Sequence, residues 1–161
     1  MSVIIRDSTE NDISLLTNII RQSFKDVAER FNLTIQTAPN HPSNCTEEWI
    51  IKAIQNGNKF YILEHKIIPC GCVALEQANS EVCYLERLGI LPNYRNNGFG
   101  KALINHIIQE ARNRNAKRIE IGIIAENIEL KNWYIKQGFI ERDTMKYKHL
   151  PFKVLFMFKE L

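Results

Sequence analysis

The first third of the chain shows the periodicity of an amphipathic helix. Between Ile13 and Phe31, apolar residues recur at spacings of three and four, which is the pattern of one buried helix face. Thr9 and Asp12, just before this stretch, resemble a capping box. The pattern predicts a short strand over residues 2–6 and then a helix that packs against a sheet.

A loop and a second helix are predicted next. Residues 32–44 contain two prolines and show no periodicity, so they predict a loop. The apolar positions after it predict a helix that is capped by Ser43 or Thr46 and ends at Gly57.

Three strands are expected to follow. Residues 60–65, 67–76 and 82–90 are rich in β-branched, aromatic and apolar residues, with short polar turns between them. This arrangement predicts an antiparallel meander. Pro69 and Gly71 within the second strand predict a bulge or a sheet edge at that point.

The remaining elements change the sheet type. A helical stripe over 103–111 precedes a strand at 119–125, and a helix at 128–137 precedes strands at 139–142 and 154–158. A strand, a helix and a strand in succession require a parallel pair with a crossover. The predicted fold class is therefore α/β, with a largely antiparallel mixed sheet that contains one parallel pair and is flanked by helices.

Length and composition limit the function classes. The 161 residues predict a single domain over 1–161, and 45% hydrophobic with 24% charged residues is ordinary for a globular protein. No apolar run approaches the roughly 20 residues of a membrane span, and the N-terminus lacks a secretory pattern, so we expect a cytoplasmic protein without membrane partners. A formal charge of +3 does not indicate nucleic-acid binding.

The cysteines and histidines do not predict a metal site. Cys45, Cys70, Cys72 and Cys83 are few for this length, and most fall in strand-like runs, so we interpret them as reduced core thiols. The Cys70–Cys72 spacing has no histidine pair nearby, and the four histidines are scattered.

The strongest chemical signal is a glycine loop, residues 95–100, between the third strand and the helix that follows. Gly98 and Gly100 lack Cβ atoms, so a ligand can approach the main chain closely, while Arg95 and Lys101 add positive charge. Amides of such a loop and of a helix N-terminus attract anionic oxygen. The loop therefore predicts a diphosphate site.

Two other interpretations of this loop remain. It could be a glycine turn that only caps a helix, or a dinucleotide-binding fingerprint, because Glu120 lies twenty residues after Gly100. Leu103, however, stands where that fingerprint requires a third Gly or Ala.

Two motifs resemble one family. The loop fits the pattern Arg/Gln-x-x-Gly-x-Gly/Ala, and Asn127 is followed by Tyr134 and then by Gly138-Phe139. Together, and in this order, they resemble the acetyl-CoA-binding motif and the next motif of the GCN5-related N-acetyltransferase (GNAT) superfamily. The resemblance implies the GNAT-like acyl-CoA N-acyltransferase fold, in which the two parallel strands splay apart and admit the pantetheine arm of the cofactor.

The resemblance also implies roles for individual residues. Tyr134 would protonate the leaving thiolate, or it could be a core aromatic, and Asn127 would hydrogen-bond the cofactor arm, cap its helix, or do both. A main-chain N–H at the end of the third strand, just before the glycine loop, would polarise the thioester carbonyl. The implied cofactor-binding residues, besides Asn127, are Leu88, Gly89, Ile90, Arg95, Asn96, Asn97, Gly98, Phe99, Gly100 and Lys101.

The general base is less constrained. Glu86 shares strand parity with Tyr84, Leu88 and Ile90, so we expect it to face the acceptor and remove the amine proton. Glu120 on the neighbouring strand competes for this role, either carboxylate could instead be solvated or ion-paired, and a water chain could replace both.

The predicted activity is transfer of an acetyl group from acetyl-CoA to a primary amine of a small molecule or peptide. The family's acceptor site is framed by loops that correspond to 32–44 and 143–153 here. The second loop is basic through Lys146, Lys148 and Lys153, which favours either a carboxylate-bearing acceptor or a solvated flap. A catalytically silent acyl-CoA-binding sensor or assembly domain is the alternative function, and the apolar strand at 154–158 could pair across a homodimer.

Overall fold

A computed structural model describes residues 2–161 of the chain. It contains four α-helices and one seven-stranded sheet. The helices are α1 (Ile13–Arg30), α2 (Glu47–Gln55), α3 (Phe99–Asn113) and α4 (Ile128–Lys136). The strands are β1 (Val3–Asp7), β2 (Lys59–His65), β3 (Ile68–Gln77), β4 (Val82–Ile90), β5 (Arg118–Ile124), β6 (Ile140–Lys146) and β7 (Lys153–Glu160).

The sheet is mixed, which confirms the predicted fold class. Its strand order is β1-β2-β3-β4-β5-β7-β6. Within the described residues, β4 and β5 form the one parallel pair, and every other neighbouring pair is antiparallel. Helix α3 makes the crossover between the two parallel strands.

The parallel strands diverge soon after they meet. Their pairing covers Val82–Tyr84 and Arg118–Glu120, whereas β4 continues to Ile90 and β5 to Ile124. Among residues 2–161, main-chain groups of β4 beyond Tyr84 therefore have no partner on the β5 side. The splay that the family resemblance implied is present, and it opens a gap in the middle of the sheet.

Helices cover both faces of the sheet. On one face, α1 and α2 bury Leu16, Ile20 and Ile50 against Phe60 and Ile62 of β2. The larger core on the other face contains apolar residues of α3 and α4, including Leu103, Ile107 and Tyr134. The predicted caps are present: Thr9 forms the capping box with Asp12 on the 3-10 turn Glu10–Asp12 that leads into α1, and Thr46, rather than Ser43, caps α2 by accepting from the Trp49 N–H.

Three β-bulges interrupt the sheet within residues 2–161, and the one in β6 leaves Arg142 as the extra residue opposite β7. In β3, Gly71 pairs with Leu63 and Pro69 pairs with Glu64, which leaves Cys70 as the extra residue. The bulge predicted at this point is confirmed, and β3 is an interior strand rather than an edge.

The second bulge lies in β4 and contradicts the predicted side-chain parity. Two β4 residues, Arg87 and Leu88, lie opposite Val73, and Arg87 has a φ of 52°. Glu86 pairs with Ala74, on the α1 and α2 face, whereas Leu88 and Ile90 pack against the core on the other face. Glu86 thus shares a face with Tyr84 but not with Leu88 or Ile90, because the inserted residue inverts the alternation.

The position of β7 rules out the predicted dimer contact. Strand β7 pairs with β5 on one side and with β6 on the other, so it offers no free edge for a second copy. At this end of the sheet the edge strand is β6, which is longer than the predicted 139–142 and exposed along its length. Within residues 2–161, no helix combines the length and apolar character of a transmembrane span.

Candidate active site

A cleft opens where β4 leaves β5, and we call it the loop cleft. It has a volume of about 420 Å³ and is bounded by the end of β4, the glycine loop and the facing sides of α1 and α4. Every residue predicted to bind cofactor lines it except Asn97. The lining residues from that set are Leu88, Gly89, Ile90, Arg95, Asn96, Gly98, Phe99, Gly100, Lys101 and Asn127.

The glycine loop presents main-chain donors to this cleft. Gly98 has a φ of +78° and precedes α3, and no side chain of the described residues caps that helix. The first amides of a helix have no intrahelical partner. A Cβ atom built on Gly98 would meet no atom within 4 Å, so there is open space beside the loop. These features fit an anionic group such as a pyrophosphate.

Gly100 also has a packing role, which the sequence did not predict. A Cβ atom at this position would lie 3.0 Å from the indole ring of Trp133. Gly100 therefore permits close packing of α4 on α3, in addition to lining the cleft.

The Arg95 side chain is also engaged in a way that the sequence did not predict. Its Nη1 donates to Asp26 Oδ2 at 2.6 Å, Nη2 donates to the Ser23 carbonyl at 2.8 Å, and Nε donates to the Ile90 carbonyl at 3.2 Å. The guanidinium thus ties α1 to the end of β4 instead of providing free charge at the rim. The Arg95 side chain holds the wall of the cleft.

A second cleft adjoins the first, and we call it the bulge cleft because the β4 bulge lines it. Its volume is about 570 Å³. It shares Phe24, Val27, Leu88, Asn127 and Leu130 with the loop cleft, so the two form a continuous depression. Besides Asn127, its polar lining residues are Asn40, His41, Glu86, Arg87, Tyr134 and His149.

Tyr134 is both a core aromatic and a cleft residue. The residue is 5% exposed, and its ring packs edge-on against Phe139 and Trp133, with centroids 5.3 Å and 5.0 Å away. No hydrogen bond within residues 2–161 engages its hydroxyl. Burial raises the pKa of Tyr134 above its usual value, so the phenol keeps its proton at neutral pH.

Asn127 lies at the junction of the two clefts. Its side-chain oxygen accepts from the Leu130 N–H at 3.3 Å, which makes it the N-cap of α4. The residue is 5% exposed and lines both clefts. The cap is therefore present, and the amide nitrogen of the side chain is left for other contacts.

Glu86 and Glu120 occupy very different environments. Burial, a hydrogen bond with Glu76 and the negative charge of Glu76 raise the pKa of Glu86 to about 7. Glu120 instead forms ion pairs with Arg142 at 2.6 Å and Arg118 at 3.3 Å, and it lines neither cleft. Of the two carboxylates, only Glu86 lies in the bulge cleft, and its raised pKa suits proton exchange near neutral pH.

The two loops expected to frame an acceptor contribute unequally. His41 from the first and His149 from the second line the bulge cleft. Lys146, Lys148 and Lys153 are absent from its lining, so the basic residues of the second loop behave as a solvated flap.

Metal-ligating groups do not converge in residues 2–161. No set of three or more His, Cys, Asp or Glu side chains is placed to hold an ion there. The four cysteines are buried free thiols, and burial raises the pKa of each.

The sequence profile of the Acetyltransferase (GNAT) family matches residues 15–139. This range includes β4, the glycine loop and α4, which line the two clefts. The chain belongs to the GNAT family. An uncharacterized N-acetyltransferase of Methanocaldococcus jannaschii is 29% identical to this GNAT chain over 105 residues, which is 62% of this chain and 46% of the relative. The match thus spans about half of that relative's length.

Solved structures that share this fold can be superposed on nearly the whole length of the GNAT chain. A ribosomal-protein-alanine N-acetyltransferase from Brucella melitensis has a TM-score of 0.72 at 22% identity, over 98% of this chain and 99% of its own. A PaiA N-acetyltransferase from Thermoplasma acidophilum, in complex with coenzyme A, has a TM-score of 0.76 at 19% identity, over 100% of both chains.

Two residues of this GNAT chain's bulge cleft were not singled out from the sequence. These are Arg87, in the predicted third strand, and His41, which is one of the four scattered histidines. Neither position carries a readable signal, because a bulge at a non-glycine residue leaves no sequence motif and His41 lies in a segment without periodicity.

Proposed function

We propose that residues 1–161 form one N-acetyltransferase domain, which transfers the acetyl group of acetyl-CoA to a primary amine by direct transfer in a ternary complex. The observation that carries this proposal is the continuity of the two clefts across the splay of β4 and β5. One cleft suits the cofactor, and the other contains an acid and a base. Membership of the GNAT family supports the reaction type.

The loop cleft provides the groups that an acyl-CoA needs. Amides of residues 96–101 would bind the pyrophosphate. The main chain of residues 88–90 has no β5 partner, and apart from the Ile90 carbonyl, which accepts from Arg95, it would bind the pantetheine arm as a neighbouring strand would. The Asn127 side-chain amide would donate to the same arm. Because Gly98 faces open space, the pyrophosphate can approach the main chain there.

The bulge cleft provides proton transfer. Acetyl-CoA supplies an acetyl group as a thioester, which an uncharged amine can attack. The Glu86 carboxylate accepts the amine proton, and a main-chain N–H of β4 donates to the carbonyl oxygen as negative charge develops there. The Tyr134 hydroxyl then gives its proton to the departing sulfur. The carbon–nitrogen bond forms as the carbon–sulfur bond breaks, and the phenolate regains a proton from solvent.

Calorimetric titration of the protein with acetyl-CoA, with NAD in parallel, tests the cofactor assignment. We expect micromolar binding of acetyl-CoA and none of NAD. A thiol-release assay with a panel of amines, amino acids and peptides then tests transfer. Binding without release for any amine would favour the silent acyl-CoA-binding alternative, and absence of acetyl-CoA binding would exclude both functions.

A further inference from the structure

The β4 bulge places an acidic and a basic side chain next to each other on one face. In a regular strand, successive side chains point to opposite faces. Here Glu86 pairs with Ala74 on the α1 and α2 face, and the Arg87 guanidinium lies 5.6 Å from the ring of Trp49 in α2, on the same face. The left-handed φ of 52° at Arg87 produces this arrangement. Both residues line the bulge cleft.

Arg87 takes part in no salt bridge within the described residues, although its charge lowers the pKa of the neighbouring Glu86. Its Nη1 is buried without a hydrogen-bond acceptor. By contrast, Arg6, Arg95 and Arg142 each contact a carboxylate at 2.8 Å or less. A buried donor of a charged group is costly when unpaired, so its retention in a cleft indicates an anion supplied by a ligand.

His41 adds a neutral donor to the same cleft. Its Nδ1 accepts from the Ser43 N–H at 3.3 Å and lies 2.7 Å from the Ser43 hydroxyl. These contacts assign the ring proton to Nε2. Burial and the charge of Arg87 both lower the pKa of His41, which keeps the ring neutral at pH 7. Its Nε2–H can therefore donate to an anion without adding a second full charge beside Arg87.

We propose that the acceptor is an amino carboxylate, whose amine lies at Glu86 and whose carboxylate is bound by Arg87 with His41. This inference rests on the proposed function and specifies the acceptor class for the same site. Adjacent Cα atoms are about 3.8 Å apart, so the two side chains suit an amine and a carboxylate separated by a few bonds, as in a free α- or β-amino acid. A guanidinium can bind a carboxylate through two parallel hydrogen bonds.

Matched acceptors test this proposal. Each of several amino acids is compared with its C-terminal amide and with the amine that lacks the carboxylate, so that the carbon skeleton stays constant within a set. For at least one skeleton, we expect kcat/KM for the free amino acid to exceed that of its amide by at least about tenfold. Arg87→Met should reduce this preference to near unity, and Arg87→Lys should restore part of it. Because the Arg87 charge also lowers the pKa of Glu86, the two acceptors of a set are compared as a ratio at a pH well above 7, where Glu86 is deprotonated in each variant.

Arg112→Met is the matched control variant. Arg112 is exposed near the C-terminal end of α3, away from both clefts, and its loss should leave the preference intact. Equal or faster turnover of the amides or of peptides would overturn the amino-carboxylate class while the proposed transferase function stands. Equal loss of all acceptors in Arg87→Met would also overturn it, because a purely structural role predicts that result. If no skeleton is acetylated while acetyl-CoA binds, the class is wrong; if acetyl-CoA does not bind, the proposed function fails as well.

Discussion

The Tyr134 hydroxyl lies in a buried aromatic cluster yet adjoins a cleft. Tyr134→Phe preserves the ring contacts with Phe139 and Trp133 and removes only the proposed proton donor. We expect turnover to fall by about 10²–10³-fold, while the affinity for acetyl-CoA stays unchanged. Thiol release measures the first quantity, and calorimetric titration measures the second.

Tyr61→Phe is the control for this substitution. Tyr61 is buried in the same core cluster, and it lines neither cleft. The Tyr61→Phe variant should therefore turn over at the same rate as the unmodified protein. Equal loss of affinity and turnover in Tyr134→Phe would instead identify Tyr134 as a structural residue.

The carboxyl pair of Glu86 and Glu76 predicts a defined pH dependence. Glu86 must be deprotonated to accept a proton, and its pKa is raised to about 7, so kcat/KM should fall as the pH drops below 7. Glu76→Gln removes the negative charge that favours the protonated form. The acidic limb should then move to lower pH by about one unit.

A comparison of pH profiles isolates this effect. The acceptor amine titrates identically with both proteins, so the displacement between their profiles reports Glu86. Glu81→Gln, at an exposed position before β4, should leave the profile unchanged. A profile of Glu76→Gln that coincides with that of the unmodified protein would contradict the assignment of Glu86 as the base.

The sequence indicated the glycine loop as a candidate ligand site, but it did not show which contacts the side chains of that loop make. The sequence indicated Arg95 as a rim charge because the loop is basic, but its guanidinium contacts Asp26, sixty-nine residues away. Such a long-range contact cannot be inferred from spacing. Gly100 could likewise be assigned to ligand approach, whereas its contact with Trp133 depends on how α4 packs.

Among the elements around the loop cleft, the turn into α3 is the one whose backbone conformation matters most for acetyl-CoA binding. Gly98→Val should abolish acetyl-CoA binding, since a branched side chain would occupy the open space beside the loop and disfavour the φ of +78°. Calorimetric titration measures the binding, and circular dichroism checks that the protein is folded.

Gly57 provides a control that distinguishes backbone strain from obstruction of the ligand site by a side chain. Gly57, which follows α2, has a φ of +93° and also faces open space, but it lines neither cleft. Gly57→Val should therefore cost similar backbone strain and leave acetyl-CoA binding intact. Retained binding in Gly98→Val would disprove the placement of the pyrophosphate.

The helices and strands could be predicted from the sequence because their periodic stretches are long and are bounded by capping or turn residues. The helix expected between Ile13 and Phe31 is α1, and the three-strand meander is β2, β3 and β4. The bulge at Arg87 was not predictable, since a φ of 52° at an arginine depends on the surrounding sheet rather than on local propensity. One inserted residue was enough to invert the expected face of Leu88 and Ile90 relative to Glu86.

At the scale of the whole molecule, the loop cleft joins elements from both sides of the splay. Its walls come from α1, β4, α3 and α4, so a ligand bound there would stabilise the fold as a unit. At a hundredfold excess over its Kd, acetyl-CoA should raise Tm by about 5–10 °C. Thermal unfolding with and without ligand measures this shift.

NAD and the Gly98→Val variant provide the two controls. NAD should leave Tm unchanged, and acetyl-CoA should leave the Tm of Gly98→Val unchanged. A larger shift with NAD than with acetyl-CoA would favour the dinucleotide interpretation of the glycine loop.

The strand order has a consequence for the growing chain. Every residue that lines the loop cleft lies at or before Trp133, whereas the bulge cleft also needs His149, Leu150, Phe152 and Val154. Strand β6 is synthesised before β7, although β7 lies between it and β5. During synthesis, the walls of the first cleft can therefore assemble while β6 still lacks a sheet partner, and the second cleft is completed only when β7 inserts.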